Sequence, residues 1–299
     1  MWLLLAFLSA ALLGFYDAFK KQSLKDNAVL PVLFLNTIFS SILFLPFIGC
    51  SLWAPQLTEG TLFAMPVAGW EEHRFILLKS FIVLSSWILG YFGMKHLPLT
   101  IVGPINATRP VMVLIGAMLV FGERLNLYQW IGVLLAVASF LMLSRSGKKE
   151  GIDFRHNRWI GCIVLAAVMG AVSGLYDKYL MTRLNPMLVQ SWYNLYQVAI
   201  MCPIILLLWW PTRRKSTPFR WDWTILGISL FLCAADFVYF YALSFEDSMI
   251  SIVSMVRRGS VVVSFLFGAL FFREKNLKSK AIDLILVLIG MFFLYLGSK

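Results

Sequence analysis

Three arginines stand where a membrane-spanning chain leaves least room for charge. Arg109 lies in LTIVGPINATRPVMVLIGAMLVF, and the adjacent Arg257 and Arg258 lie in MISIVSMVRRGSVVVSFLFGALFF. A charge at the centre of a bilayer helix costs about 2.5–3.5 kcal/mol on insertion scales, and such groups mark functional sites by default. Arg109 is about 16 Å of helical rise from either end of its apolar run, and the adjacent pair is about 15 Å deep. Snorkelling cannot easily carry a guanidinium that far. Guanidinium groups pair bidentately with phosphate or carboxylate, so the chemistry on offer is recognition of an anion. The competing chemistry is a buried ion pair with a carboxylate of the chain, such as Asp236. Successive helical residues point about 100° apart, so at most one of Arg257 and Arg258 faces squarely into a cavity.

The carboxylates set the balance. Asp17, Asp177, Asp236 and Asp283 fall inside apolar runs. Only Asp236, in FLCAADFVYFYAL, is deep; Asp17 and Asp177 fall near the last turn of theirs, and Asp283 near the start of its own. Three deep arginines, with Lys79 about a turn into its run, predict a net-positive cavity. Asn106 and Thr108 flank Arg109, and Pro104 and Pro110 interrupt the helix, freeing backbone carbonyls for a ligand or simply kinking it. Trp87, Tyr91, Tyr239 and Tyr241 can wall a cavity with polar tips, or sit in interfacial belts. Asn36, Asn194 and Gln197 read first as hydrogen bonders between helices. Asp236, Asp17 and Asp177 are the candidates for ion coupling, although Asp17 beside Lys20 and Lys21 also fits a salt-bridged helix end. The four cysteines stand singly, with no metal-ligand spacing, so neither a metal nor a cofactor is expected.

The elements that position these groups are apolar spans. The 299 residues are 60% hydrophobic and 14% charged, with mean hydropathy +0.80, far from the soluble average. Runs long enough to cross a bilayer cover 2–19, 30–50, 75–94, 98–121, 127–144, 159–180, 187–210, 223–244, 248–272 and 278–297. The expected fold is therefore an all-α polytopic membrane protein of ten transmembrane helices. The first run lacks the basic flank and cleavage site of a signal peptide. The formal charge of +11 lies between the runs, which argues for topology over nucleic-acid binding. Connections after odd-numbered spans, counted with the first residues of the tenth span, hold seventeen Lys and Arg, against four in the remaining connections and the C-terminus. The positive-inside rule then puts both termini outside a bacterial-type plasma (inner) membrane. The 51–74 connection, with Trp53 and Trp70, is expected along the interface as a surface hairpin, a lid being the other reading.

The chain also repeats itself. Gly14-Phe15-Tyr16-Asp17 returns as Gly174-Leu175-Tyr176-Asp177, Pro46 as Pro203, Arg109 as Arg258, and Glu123 as Glu274. This divides the chain into five-helix repeats at 1–144 and 159–299, joined by a basic linker at 145–158. An odd number of spans per copy inverts the second, and inverted repeats are a mark of alternating-access transporters with a midplane site between the copies.

With FGERL and FREKN ending the fourth and ninth spans, the whole chain resembles the drug/metabolite transporter superfamily, in its EamA-like branch. Val256-Arg257-Arg258-Gly259-Ser260-Val261 resembles the helix-nine basic pair of the sugar-phosphate translocators in that superfamily, and Arg109 falls where their helix-four basic residue stands. Many members are thought to keep both termini in the cytoplasm, whereas the charges here place them outside. The resemblance implies a transporter, and the residues favour an anionic metabolite bearing phosphate or carboxylate. Export of amino acids or cationic drugs, and flipping of a lipid head group, are the alternatives. No enzyme motif is present, and a homodimer is compatible with the chain.

Overall fold

A computed structural model describes residues 2–109, 111–113, 115–116, 126–128, 130–132, 134–135, 138–139, 142, 156–214, 217–245, 253, 256–257, 259–272 and 277–297. Among these, the regular structure is helical. The main elements are α1 (Trp2–Ser23), α2 (Val29–Trp53), α3 (Trp70–His96), α4 (Leu99–Ala107), α5 (Arg158–Met181), α6 (Pro186–Ile204), α7 (Thr224–Leu243), α8 (Ser260–Leu270) and α9 (Leu277–Gly297). Six helices, α1, α2, α3, α5, α7 and α6 with its continuation, are long and apolar enough to cross a membrane. Of the fifth predicted span only scattered residues are described, and these are helical.

The helices are apolar on all sides, so size and polarity decide which side faces inward. On α1 the buried residues include Ala6, Ser9, Ala10 and Gly14, whereas Leu4 is 74% exposed and Phe7 57%. Small residues let helices approach closely where lipid offers no hydrophobic drive to associate, and the large side chains are left for the bilayer. α1 packs along α7, α3 along α5, and α2 against α6. Thus the first span of each half lies against the third span of the other. Ser9 Oγ donates to the Ala235 carbonyl (2.7 Å) and Ser86 Oγ to the Ala166 carbonyl (2.8 Å).

Local signals explain several boundaries. Asn185 caps α6, its side chain accepting from Met187 and Leu188 N–H, with Pro186 in the first turn. α1 runs past its predicted end at 19 because its lysines have internal partners. Lys20 pairs with Asp17 (2.9 Å), and Lys21 donates to the Met94 and Leu97 carbonyls at the end of α3. α6 continues as a π-helical turn, Ile205–Trp209. The 51–74 connection packs onto the bundle: Phe63 stacks between Phe47 (5.1 Å) and Phe237 (5.4 Å), and Met65 is buried. Trp53 and Trp70 point outward, 85% and 78% exposed.

The fourth and ninth predicted spans are interrupted. α4 stops at Ala107, and Thr108 forms a tight turn, its N–H bonding to the Ile105 carbonyl. The sequence supplies the cause, since Pro110 has no N–H to give the Asn106 carbonyl. α8 begins only at Ser260, after a turn in which Gly259 N–H reaches the Val256 carbonyl (2.9 Å). A Cβ on Gly259 would lie 2.9 Å from that same oxygen, so the turn needs glycine. The two breaks fall at matching places in the two halves.

Candidate functional site

Between these breaks lies a cavity of about 150 Å³, walled by residues of α1, α3, α4, α5, α7 and α8, together with Arg109, Arg257 and Tyr193 of α6. A water needs only about 10–15 Å³ of such space, so the room suits a small solute. Four cations (Lys20, Lys79, Arg109, Arg257) and three carboxylates (Asp17, Asp177, Asp236) face it among the described residues.

Three cations are paired. Lys79, 2% exposed, is salt-bridged to Asp177 and lies near the rings of Tyr193 (5.1 Å) and Phe240 (4.9 Å). Arg257 is salt-bridged to Asp236 and sits over the Tyr239 ring at 4.0 Å. The other Asp236 oxygen accepts from Tyr193 Oη at 2.9 Å. Lys20 pairs with Asp17 and lies over Tyr16 at 4.3 Å, while Ser264 Oγ donates to the second Asp17 oxygen at 3.1 Å. The Lys79–Asp177 and Ser264–Asp17 contacts both join one half of the chain to the other.

Arg109 is different. It has no carboxylate within ion-pair distance among the described residues. Its Nη2 donates to Asn106 Oδ1 at 3.2 Å, and its buried Nε has no hydrogen-bond partner. Its guanidinium lies against Gly170 of α5, where a Cβ would come within 2.6 Å of Cζ. The missing side chain at Gly170 makes the space the arginine occupies. Asp17 acts on it electrostatically without forming an ion pair, and a bound anion would supply the close partner that the guanidinium lacks.

Of the residues predicted from sequence, Arg109, Arg257, Asn106, Trp87, Tyr91, Tyr239, Asp236, Asp17 and Asp177 all face this cavity. Arg258 lies outside the described residues. Tyr241 does not line the cavity; its ring meets Phe245 at 5.3 Å. Asp17 and Asp177 stand on the cavity wall; α1 runs on to Ser23, past its predicted end, whereas Asp177 does so from near the end of α5, which stops at Met181. Among the described residues the positive surplus is therefore smaller than the sequence implied, and it rests on Arg109. Tyr16, Lys20, Tyr193 and Gly170 were missed. The recurrent Gly-x-Tyr-Asp pointed to Tyr16; nothing along the chain pointed to Gly170.

A model described as the EamA-like transporter family matches residues 1–145 and 157–296. An uncharacterized transporter of Archaeoglobus fulgidus is 25% identical over 262 residues, covering 85% of this chain and 84% of that protein. A solved structure, titled only as the crystal structure of a protein, superposes with a TM-score of 0.63 at 16% identity over 97% of this chain and 98% of its own. At that identity the likeness concerns the fold.

Proposed function

The chain belongs to the EamA-like transporter family, and from that premise we propose that it is a secondary transporter for a small anionic metabolite bearing phosphate or carboxylate. The observation that carries this reading is Arg109, a cavity guanidinium with no carboxylate partner among the described residues, set at a helix break. Interrupted spans at the midplane are where transporters bind their substrates. Transport proceeds by rocking of two inverted five-helix repeats, 1–144 and 159–299, with the basic linker 145–158 in the cytoplasm and both termini outside. The exchanged packing of α1 on α7 and α3 on α5, and the two matched breaks, support that reading. The Lys79–Asp177 and Ser264–Asp17 contacts tie the halves together in this state and must part as the cavity changes its opening. Asp236 and the two repeat-related aspartates are the residues through which proton coupling would act.

A second reading, export of a cationic or zwitterionic solute, draws on the three carboxylates in the cavity. Purified protein in liposomes separates the two. Phosphorylated and carboxylated metabolites should accumulate or exchange, with uptake at least tenfold lower for Arg109→Gln. Uptake of cations alone, abolished by Asp236→Asn and indifferent to Arg109→Gln, would establish the second reading.

A further inference from the structure

A second concavity lies away from the cavity, at the end of the bundle where the α1–α2, α3–α4 and α6–α7 connections meet. Hydrogen bonds bring these connections together: Asn27 Nδ2 to the Arg220 carbonyl, Lys21 to the end of α3, and Lys95 Nζ to Thr217 Oγ1 at 2.8 Å. Between them is a groove of about 450 Å³. One wall is aliphatic and aromatic, from Leu30, Ile88, Phe92 and Leu208. Leu208 is 61% exposed on the outside of the bundle, so the groove is open to the bilayer. Its polar lining comes from Lys95, Thr212 and Thr217, beside Trp209.

Lys95 forms no ion pair among the described residues. It meets a hydroxyl, and Asp26 acts on it electrostatically. Trp209 Nε1, a donor only, is buried without an acceptor. The indole sits on the π-helical turn Ile205–Trp209, closed by Trp210 N–H on the Ile205 carbonyl (2.9 Å); such turns in α-helices frequently accompany functional sites. The α6–α7 connection adds Arg213 and Arg214 at the same end.

We propose that this groove is a binding site for an anionic phospholipid, its phosphate on Lys95 Nζ and an acyl chain along Leu30, Ile88, Phe92 and Leu208. An ammonium without an ion-pair partner among the described residues suits a phosphate, and the apolar wall suits a chain that a soluble anion does not have. Basic pockets between spans at the cytoplasmic face hold anionic head groups, and the loop charges assign this end to the cytoplasm. Bound lipid would brace α2, α3 and α6 where they meet the basic connection.

The test is native mass spectrometry and thermal unfolding of delipidated protein in neutral detergent, with dioleoyl phosphatidylglycerol, dioleoyl phosphatidylcholine or glycerol phosphate added. Wild type should retain phosphatidylglycerol at least tenfold more strongly than phosphatidylcholine. Lys95→Gln should lose that preference and Lys95→Arg keep it. Leu208→Trp, on the lipid-facing rim, should fill the groove and reduce retention of phosphatidylglycerol without touching a charge. Equal retention of the two lipids, or a preference indifferent to Lys95→Gln and Leu208→Trp, would overturn the proposal. Stabilisation by glycerol phosphate equal to that by phosphatidylglycerol, kept in Arg109→Gln and lost in Lys95→Gln, would also overturn it, by making the groove's ligand a soluble anion.

Discussion

Arg109 keeps its place because Gly170 has no side chain. A methyl group there would meet the flexible end of the arginine at 2.6 Å, so Gly170→Ala should displace the guanidinium without unfolding the bundle. Anion affinity should fall at least tenfold by calorimetry while the ligand-free melting temperature stays near wild type; unchanged affinity would detach Arg109 from binding. Arg257 is coupled instead to Asp236. Removing one member of a buried pair costs about 3–5 kcal/mol, so Asp236→Asn should destabilise by that order. The double variant with Arg257→Gln should lose less than the sum of the two singles, in a denaturation cycle. Arg109, Asn106, Asp236 and Tyr239 were legible in the sequence because a polar group in an apolar run must be satisfied or used. Lys20 was not: an i,i+3 pair with Asp17 has the same spacing whether it sits at a surface helix end or in a cavity wall. Gly170 acts through a contact that no spacing along the chain reveals.

At the scale of the element, hydropathy placed the described long spans to within about five residues, because the bilayer sets their length. It could not place their interruptions. The break after Ala107 was signalled by Pro110, but an ordinary kink fitted the same residues. The turn at Gly259 was not foreseen, since one glycine in an apolar run has many uses. Restoring a backbone donor with Pro110→Ala should make the helix through Thr108 more regular. Thermal stability should then rise and transport fall at least tenfold; transport at the wild-type rate would show that the break is dispensable. The π-helical turn after α6 was equally invisible, because ILLLW suits any apolar helix.

For the whole molecule, repetition of Gly-x-Tyr-Asp and of the matched arginines made a two-part organisation readable. Which helices pack together was not readable, because lipid-facing and protein-facing sides are both apolar. Orientation follows from the loop charges alone and is open to direct test. In a background lacking Cys50, Cys162, Cys202 and Cys233, Thr61→Cys should react with an impermeant maleimide on intact cells, and Thr212→Cys only after permeabilisation. The reverse pattern would put the termini in the cytoplasm. The central claim is that the cavity takes an anion on Arg109. It is tested most directly by ligand-induced thermal shift of purified wild type and Arg109→Gln against phosphorylated, carboxylated, neutral and cationic metabolites. A ligand at a hundredfold excess over its Kd stabilises by about 2.7 kcal/mol. The account predicts a shift with anions only, absent in Arg109→Gln; a shift with cations, or an anion shift that survives the substitution, would contradict it.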